Sequence, residues 1–164
     1  MTVRPVRPED LAAIVEACQD PEIPRWTNVP SPYTDENGRR FIDEALGDGG
    51  PELSLAVADH TTDALLGVIG LRLPDKGVGE LGYWIAAGER GRGVATRAAR
   101  LLSRWAFEQL GLARIHLLAH PDNRASQRVA ERAGFRREGL LRSWAEMHGE
   151  RVDLLMFSLL PGEL

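Results

Sequence analysis

The residues best placed to do chemistry lie in one stretch, where Glu80-Leu-Gly-Tyr-Trp-Ile85 runs into Ala86-Ala-Gly-Glu-Arg-Gly-Arg-Gly-Val-Ala-Thr96. Alternation predicts a strand ending near Ile85, and helical spacing resumes at Val94 or Ala95 and lasts to about Leu110. A helix starting there leaves its first amide hydrogens unpaired and turns the positive end of its dipole toward the glycine turn. Gly91 and Gly93 have no Cβ, so a ligand can approach the backbone closely. Such a turn attracts anionic oxygen, above all the phosphates of a nucleotide cofactor. Glu80 adds a carboxylate on the same strand, a group able to accept a proton.

The glycines alone do not name the nucleotide. A phosphate-binding P-loop needs a lysine after its second glycine, and the only lysine of the chain is Lys76, upstream of the turn. A dinucleotide-binding Gly-x-Gly-x-x-Gly fails at its third glycine, where Thr96 stands. Asp122, past the next strand, leaves a partial form of that reading open, with an NAD-linked oxidoreductase as its functional consequence.

A second pattern lies downstream: Asn123-Arg-Ala-Ser126-x-x-Val129-x-Glu131-x-x-Gly134-Phe135. Together with Arg90-x-x-Gly93-x-Ala95 it resembles the GCN5-related N-acetyltransferase (GNAT) superfamily, in the branch of the ribosomal-protein alanine acetyltransferases RimJ and RimL. The resemblance is strong from Glu80 to Gly139 and compatible elsewhere. It implies an α/β fold of mixed α+β type: one domain over residues 1–164, with a mixed, mostly antiparallel sheet splayed at the cofactor site and helices on both faces. It also implies acetyl-CoA as cofactor and transfer of its acetyl group to a primary amine in a ternary complex. The acceptor is expected to be a protein N-terminus or a small amine. A catalytically silent acyl-CoA-binding or sensing module on the same scaffold is the alternative.

Composition agrees with a small globular enzyme: 164 residues, 43% hydrophobic and 27% charged. No apolar run approaches the ~20 residues of a membrane span, and residues 1–7 carry no signal-peptide core, so a cytoplasmic protein without a membrane partner is expected. The lone Cys18 reads as a small core hydrophobe. The net charge of −4 is unevenly spread. From Arg90 to Arg142 twelve arginines face four acids, whereas the rest of the chain carries twenty acids and eight bases. That polarity suits a multiply phosphorylated ligand, and the acidic remainder argues against nucleic acid. No Cys/His cluster points to a metal, so metal-free catalysis is expected. A homodimer is expected only because dimers are common among relatives.

Periodicity lays the chain out as βααβββαβαβ. Residues 3–6 read as a strand, 8–18 and 35–46 as helices, and 21–32, with four prolines, as a loop. Strands are expected at 53–58, 65–73, 78–85, 114–119 and 151–160, with a turn at 74–77 and a helix at 125–133 capped by Asn123.

Site roles follow from the resemblance. The diphosphate of coenzyme A would lie on the amides of Arg92, Gly93, Val94, Ala95 and Thr96, behind Arg90. The pantetheine arm would pair with the strand end near Ile85 and Ala87 and meet Asn123. A backbone N–H at Trp84 or Ile85 would polarise the thioester carbonyl. Glu80 is the candidate base, directly or through water, with burial expected to raise its pKa toward neutrality. Ser126 is the candidate proton donor to the thiolate, since the tyrosine that many relatives place later on the same helix is Ala130 here. Trp26, Tyr33, Trp144 and Glu146 are candidates for the amine pocket. Coenzyme A is expected to raise the thermal midpoint and NAD to leave it unchanged. Ligand at a hundred times Kd adds about 2.7 kcal/mol, and the opposite result would restore the oxidoreductase.

Overall fold

The computed structural model describes residues 1–47, 50, 52–75 and 77–164. The turn expected at 74–77 includes residue 76, which lies outside the described residues. Among the described residues seven strands form one sheet: β1 (Thr2–Pro5), β2 (Glu52–Ala58), β3 (Leu65–Asp75), β4 (Val78–Ile85), β5 (Arg114–Ala119), β6 (Arg136–Met147) and β7 (Glu150–Leu159). Their order is β1-β2-β3-β4-β5-β7-β6. All neighbours are antiparallel except β4 and β5, which run parallel. The parallel step requires a crossover, and the helix α4 (Val94–Leu110) supplies it.

Helices cover both faces. On one lie α4 and α5 (Arg124–Ala133); on the other lie α1 (Leu11–Ala17), α2 (Glu22–Trp26) and α3 (Asp35–Leu46). Val94, Ala98, Leu102 and Ala106 of α4 are buried against Leu71, Leu81, Ile85, Ile115 and Leu117 of the sheet. Small alanines on that stripe let the helix lie close to the strands. A separate cluster of Val6, Ile14, Cys18, Ile23, Tyr33 and Ile42 fills the opposite face. Cys18 is a core residue, and burial pushes its thiol up to about 12. Among the described residues no helix is long and apolar enough to cross a membrane.

Two elements depart from the sequence expectation. Residues 21–32 hold the five-residue helix α2, with Pro24 inside it. A helix of one turn tolerates proline there because its first amides have no intrahelical partner to lose. The second is β6, an exposed edge strand whose pairing with β7 slips between Leu141 and Ala145 around Ser143, at φ 50°. Charged residues on the edge and the irregular register erase the period-two pattern.

Gly67 of β3 faces Ile85 of β4. A methyl group there would collide with the carbonyl oxygen of Trp84 and with the Ile85 side chain. Gly67→Ala is therefore expected to destabilise the protein by about 1–3 kcal/mol, read from urea unfolding; an unchanged midpoint would show that β4 can yield.

Candidate active site

The site begins where the sheet stops pairing. Strands β4 and β5 are in register only at Val78–Arg114, Gly79–Ile115 and Glu80–His116. Past that point β4 continues to Ile85 along β3, and β5 continues to Ala119 along β7. The two strands part, as the resemblance implies. The Ala86 N–H goes to the Leu66 carbonyl at 2.9 Å. Hydrogen bonding alternates along an antiparallel strand, so Trp84 is directed to β3, while Ile85 and Tyr83 direct their backbone groups into the gap. Of the two amides expected to meet a thioester carbonyl, the fold therefore offers that of Ile85.

Beyond Ile85 a single 3-10 turn, Ala87–Glu89, leads to the glycines. Gly91 and Gly93 both have φ of 74°, a left-handed conformation that costs a side-chain-bearing residue energy. Gly93 is the cap of α4, and the first bond of the helix is Arg97 N–H to its carbonyl at 3.1 Å. The amides of Val94, Ala95 and Thr96 precede that ladder and point out of the helix end. A cleft of about 540 Å³ joins this end to the strand gap. Ile85, Arg90, Gly93, Val94, Ala95, Thr96, Asn123 and Ser126 line one part of it; Trp26, Arg72, Glu80 and Trp144 line another. The residues present fit an acyl-CoA: free helix amides for the diphosphate and an open strand edge for the amide-bearing arm.

Arg90 lines the cleft with its guanidinium already engaged by the protein. Its Nε donates to the Ile85 carbonyl at 2.9 Å, and its guanidinium pairs with Asp20 at 2.6 Å. The side chain thus braces the turn against β4 and the end of α1. Arg92 pairs with Glu89, and neither its side chain nor Ala87 lines the cleft. Asn123 accepts from the Ser126 N–H at 3.0 Å, fixing the start of α5 and leaving its amide NH2 to donate.

Glu80 sits at the point of divergence, half-buried. The His116 ring lies 3.2 Å from its Oε2, and Arg72 donates to the same oxygen at 2.8 Å. The expected rise in its pKa is corrected: the hydrogen bond from His116, with help from Arg72, outweighs burial and lowers it from the ordinary glutamate value. The sequence could not show these partners, because both face Glu80 across strands, Arg72 from β3 and His116 from β5.

Two acceptor-pocket candidates fall elsewhere. Tyr33 is 8% exposed and packed in the core under α1 and α3, where burial pushes its hydroxyl up to about 12. Glu146 is exposed on β6, one residue out of phase with Ala145 and Met147, which line the cleft. Trp26 and Trp144 do line it. The Trp26 ring lies 5.5 Å from that of His120 and donates through Nε1 to Glu22 at 3.1 Å, whereas Trp144 is 53% exposed. Tyr83 too is given no role in the sequence reading. Tyr83 lines the cleft, and its hydroxyl donates to Ser126 Oγ at 3.1 Å. Among the described residues no group of three or more His, Cys, Asp or Glu is placed to hold a metal ion.

Comparison with known proteins agrees with this geometry. The profile of the acetyltransferase (GNAT) domain matches residues 1–136. The uncharacterized N-acetyltransferase p20 of Bacillus licheniformis is 30% identical over 99% of this chain and 94% of its own. The spermidine N-acetyltransferase of Vibrio cholerae, solved with CoA and spermine, superposes with a TM-score of 0.83 at 22% identity, covering 99% of this chain and 96% of its own. A ribosomal-protein alanine acetyltransferase from Vibrio fischeri gives a TM-score of 0.82 at 22% identity, covering 98% and 93%. With the parted strands and the glycine-capped helix already pointing the same way, the match over most of the chain settles the family: this protein belongs to the GNAT acetyltransferases.

Proposed function

We propose that the protein transfers an acetyl group directly from acetyl-CoA to a primary amine, with both substrates bound together. The observation that carries this reading is the continuity of the cleft. It runs from the free amides at the start of α4, through the gap between β4 and β5, to Glu80 and the two tryptophans. Acetyl-CoA supplies the activated acyl group. The amides from Arg92 to Thr96 hold its diphosphate, the edge of β4 at Ile85 with Asn123 holds its arm, and the Ile85 N–H polarises its carbonyl.

Glu80 remains ionised under its two donors and so attracts an incoming ammonium group. It takes the proton, directly or through water, as nitrogen becomes nucleophilic. Ser126 donates to the departing sulfur. Trp26 and Trp144 wall the amine end, where an aromatic face favours a cation. The acceptor is a protein N-terminal α-amine or a small amine such as a polyamine, and the acidic remainder of the chain favours a basic one. The spermidine and ribosomal-protein neighbours keep both acceptor classes in view.

The decisive experiment is an acceptor screen against pooled peptides and polyamines, read by mass shift and free thiol. Tight CoA binding without thiol release for any amine would favour the silent binding module. Gly93→Val should weaken CoA binding about tenfold or more by calorimetry, since loss of ~1.4 kcal/mol at the helix end is a factor of ten. Gly111→Val is the control. Gly111 has φ of 63° at the far end of α4, so the substitution carries similar backbone strain without touching the cleft. Equal weakening in both variants would sink the helix-end assignment.

Glu80→Gln should lower kcat by about 10²-fold at neutral pH with acetyl-CoA affinity retained. An unchanged kcat–pH profile would retire Glu80 as the base. Because folding lowers its pKa, its ion pairs stabilise the native state above the ordinary glutamate range of about 4.3, and that stability disappears as pH falls through the lower folded value. The stability gap between wild type and the glutamine variant should accordingly close in acid.

A further inference from the structure

We propose that Tyr83 is a positioning residue for the leaving sulfur: by donating to Ser126 it turns the single Ser126 proton toward the thioester. The inference rests on the acetyl-CoA reading of the cleft and goes beyond it in assigning a part to β4. Tyr83 follows Leu81 and precedes Ile85 on the strand face that packs against α4, and its ring is held by the main core cluster. Phenylalanine would serve that packing equally well. The hydroxyl is the excess feature, and it reaches across the gap to Ser126 Oγ at 3.1 Å.

Ser126 is held from its own side as well. Its N–H is fixed on Asn123 Oδ1 at 3.0 Å in the first turn of α5. A serine hydroxyl has one proton and two lone pairs. Once a lone pair accepts from Tyr83, the proton must point away from the phenol. Two hydroxyls in series also polarise each other, which strengthens the terminal donor. Burial pushes the Tyr83 hydroxyl up to about 12, so it stays protonated at neutral pH and remains a donor.

The bookkeeping of the step closes. The acyl carbon gains a bond to the amine nitrogen, and the C–S bond breaks with its electron pair going to sulfur. Sulfur leaves as a thiolate under the hydrogen bond of Ser126, while Ser126 and Tyr83 both keep their protons. The proton released by the amine passes through Glu80 to solvent, which later protonates the departing thiolate.

The test needs no acceptor. The thiol of coenzyme A bound to wild type, Tyr83→Phe and Ser126→Ala is titrated by the ultraviolet absorbance of its thiolate. A donor aimed at sulfur should place the bound thiol about one pH unit below free CoA. Tyr83→Phe should return it most of the way, Ser126→Ala fully, and the double variant no further than Ser126→Ala. The charged groups of the cleft (Glu22, Glu80 and Glu89 with Arg72, Arg90, His120, Arg128 and Arg132) are the same in every variant, so a difference reports the hydroxyls. A bound thiol pKa unaltered by Tyr83→Phe overturns the role of Tyr83 alone. Failure of wild type to bind CoA overturns the acetyl-CoA reading and this inference with it.

Discussion

The structure depends on a hydrogen-bond ladder that stops. Three residue pairs hold β4 beside β5, and the ladder ends at Glu80 and His116. An exposed strand edge inside a sheet is ordinarily a liability, because unpaired N–H and C=O groups seek partners. Here each strand is secured on its outer side, β4 by β3 and β5 by β7, so the divergence does not unravel the sheet. The core under α4 spans both strands and keeps the halves together. Binding capacity is thus built by withholding pairing at one place and overdetermining it on either side.

The same break arranges the electrostatics. At the last shared register, the side chains of Arg72, Glu80 and His116 converge from three adjacent strands. Such a knot keeps a partly buried carboxylate ionised. At the other end of the cleft, charge comes from the backbone, through the first turn of α4 and its two left-handed glycines. One cavity thereby has backbone donors at one end and an ionised carboxylate toward the other.

What the amino-acid sequence revealed follows the range of the forces concerned. The α4 stripe, the Asn123 cap and the turn glycines are local, and each was readable from spacing alone. So was the alternation that sets Glu80, Gly82 and Trp84 against Leu81, Tyr83 and Ile85, now seen in the two core clusters. Partners fixed by register were not readable: nothing near Glu80 in the chain announces Arg72 or His116. Tyr33 and Glu146 failed for a related reason, since residue type suggests a pocket but the phase of a strand or the seat of a helix decides it. The strand β6 stayed hidden because an exposed edge with a bulge carries no hydrophobic period.

Arg90 ties the glycine turn to Asp20, and the other carboxylate oxygen of Asp20 accepts from the Glu22 N–H at 3.1 Å where α2 begins. One short strut therefore links the glycine turn to the segment that carries Trp26. Evolution cannot treat that segment as an independent cassette: a transplanted loop must bring an acid to the place of Asp20, or the arginine behind the glycines is left without its anchor.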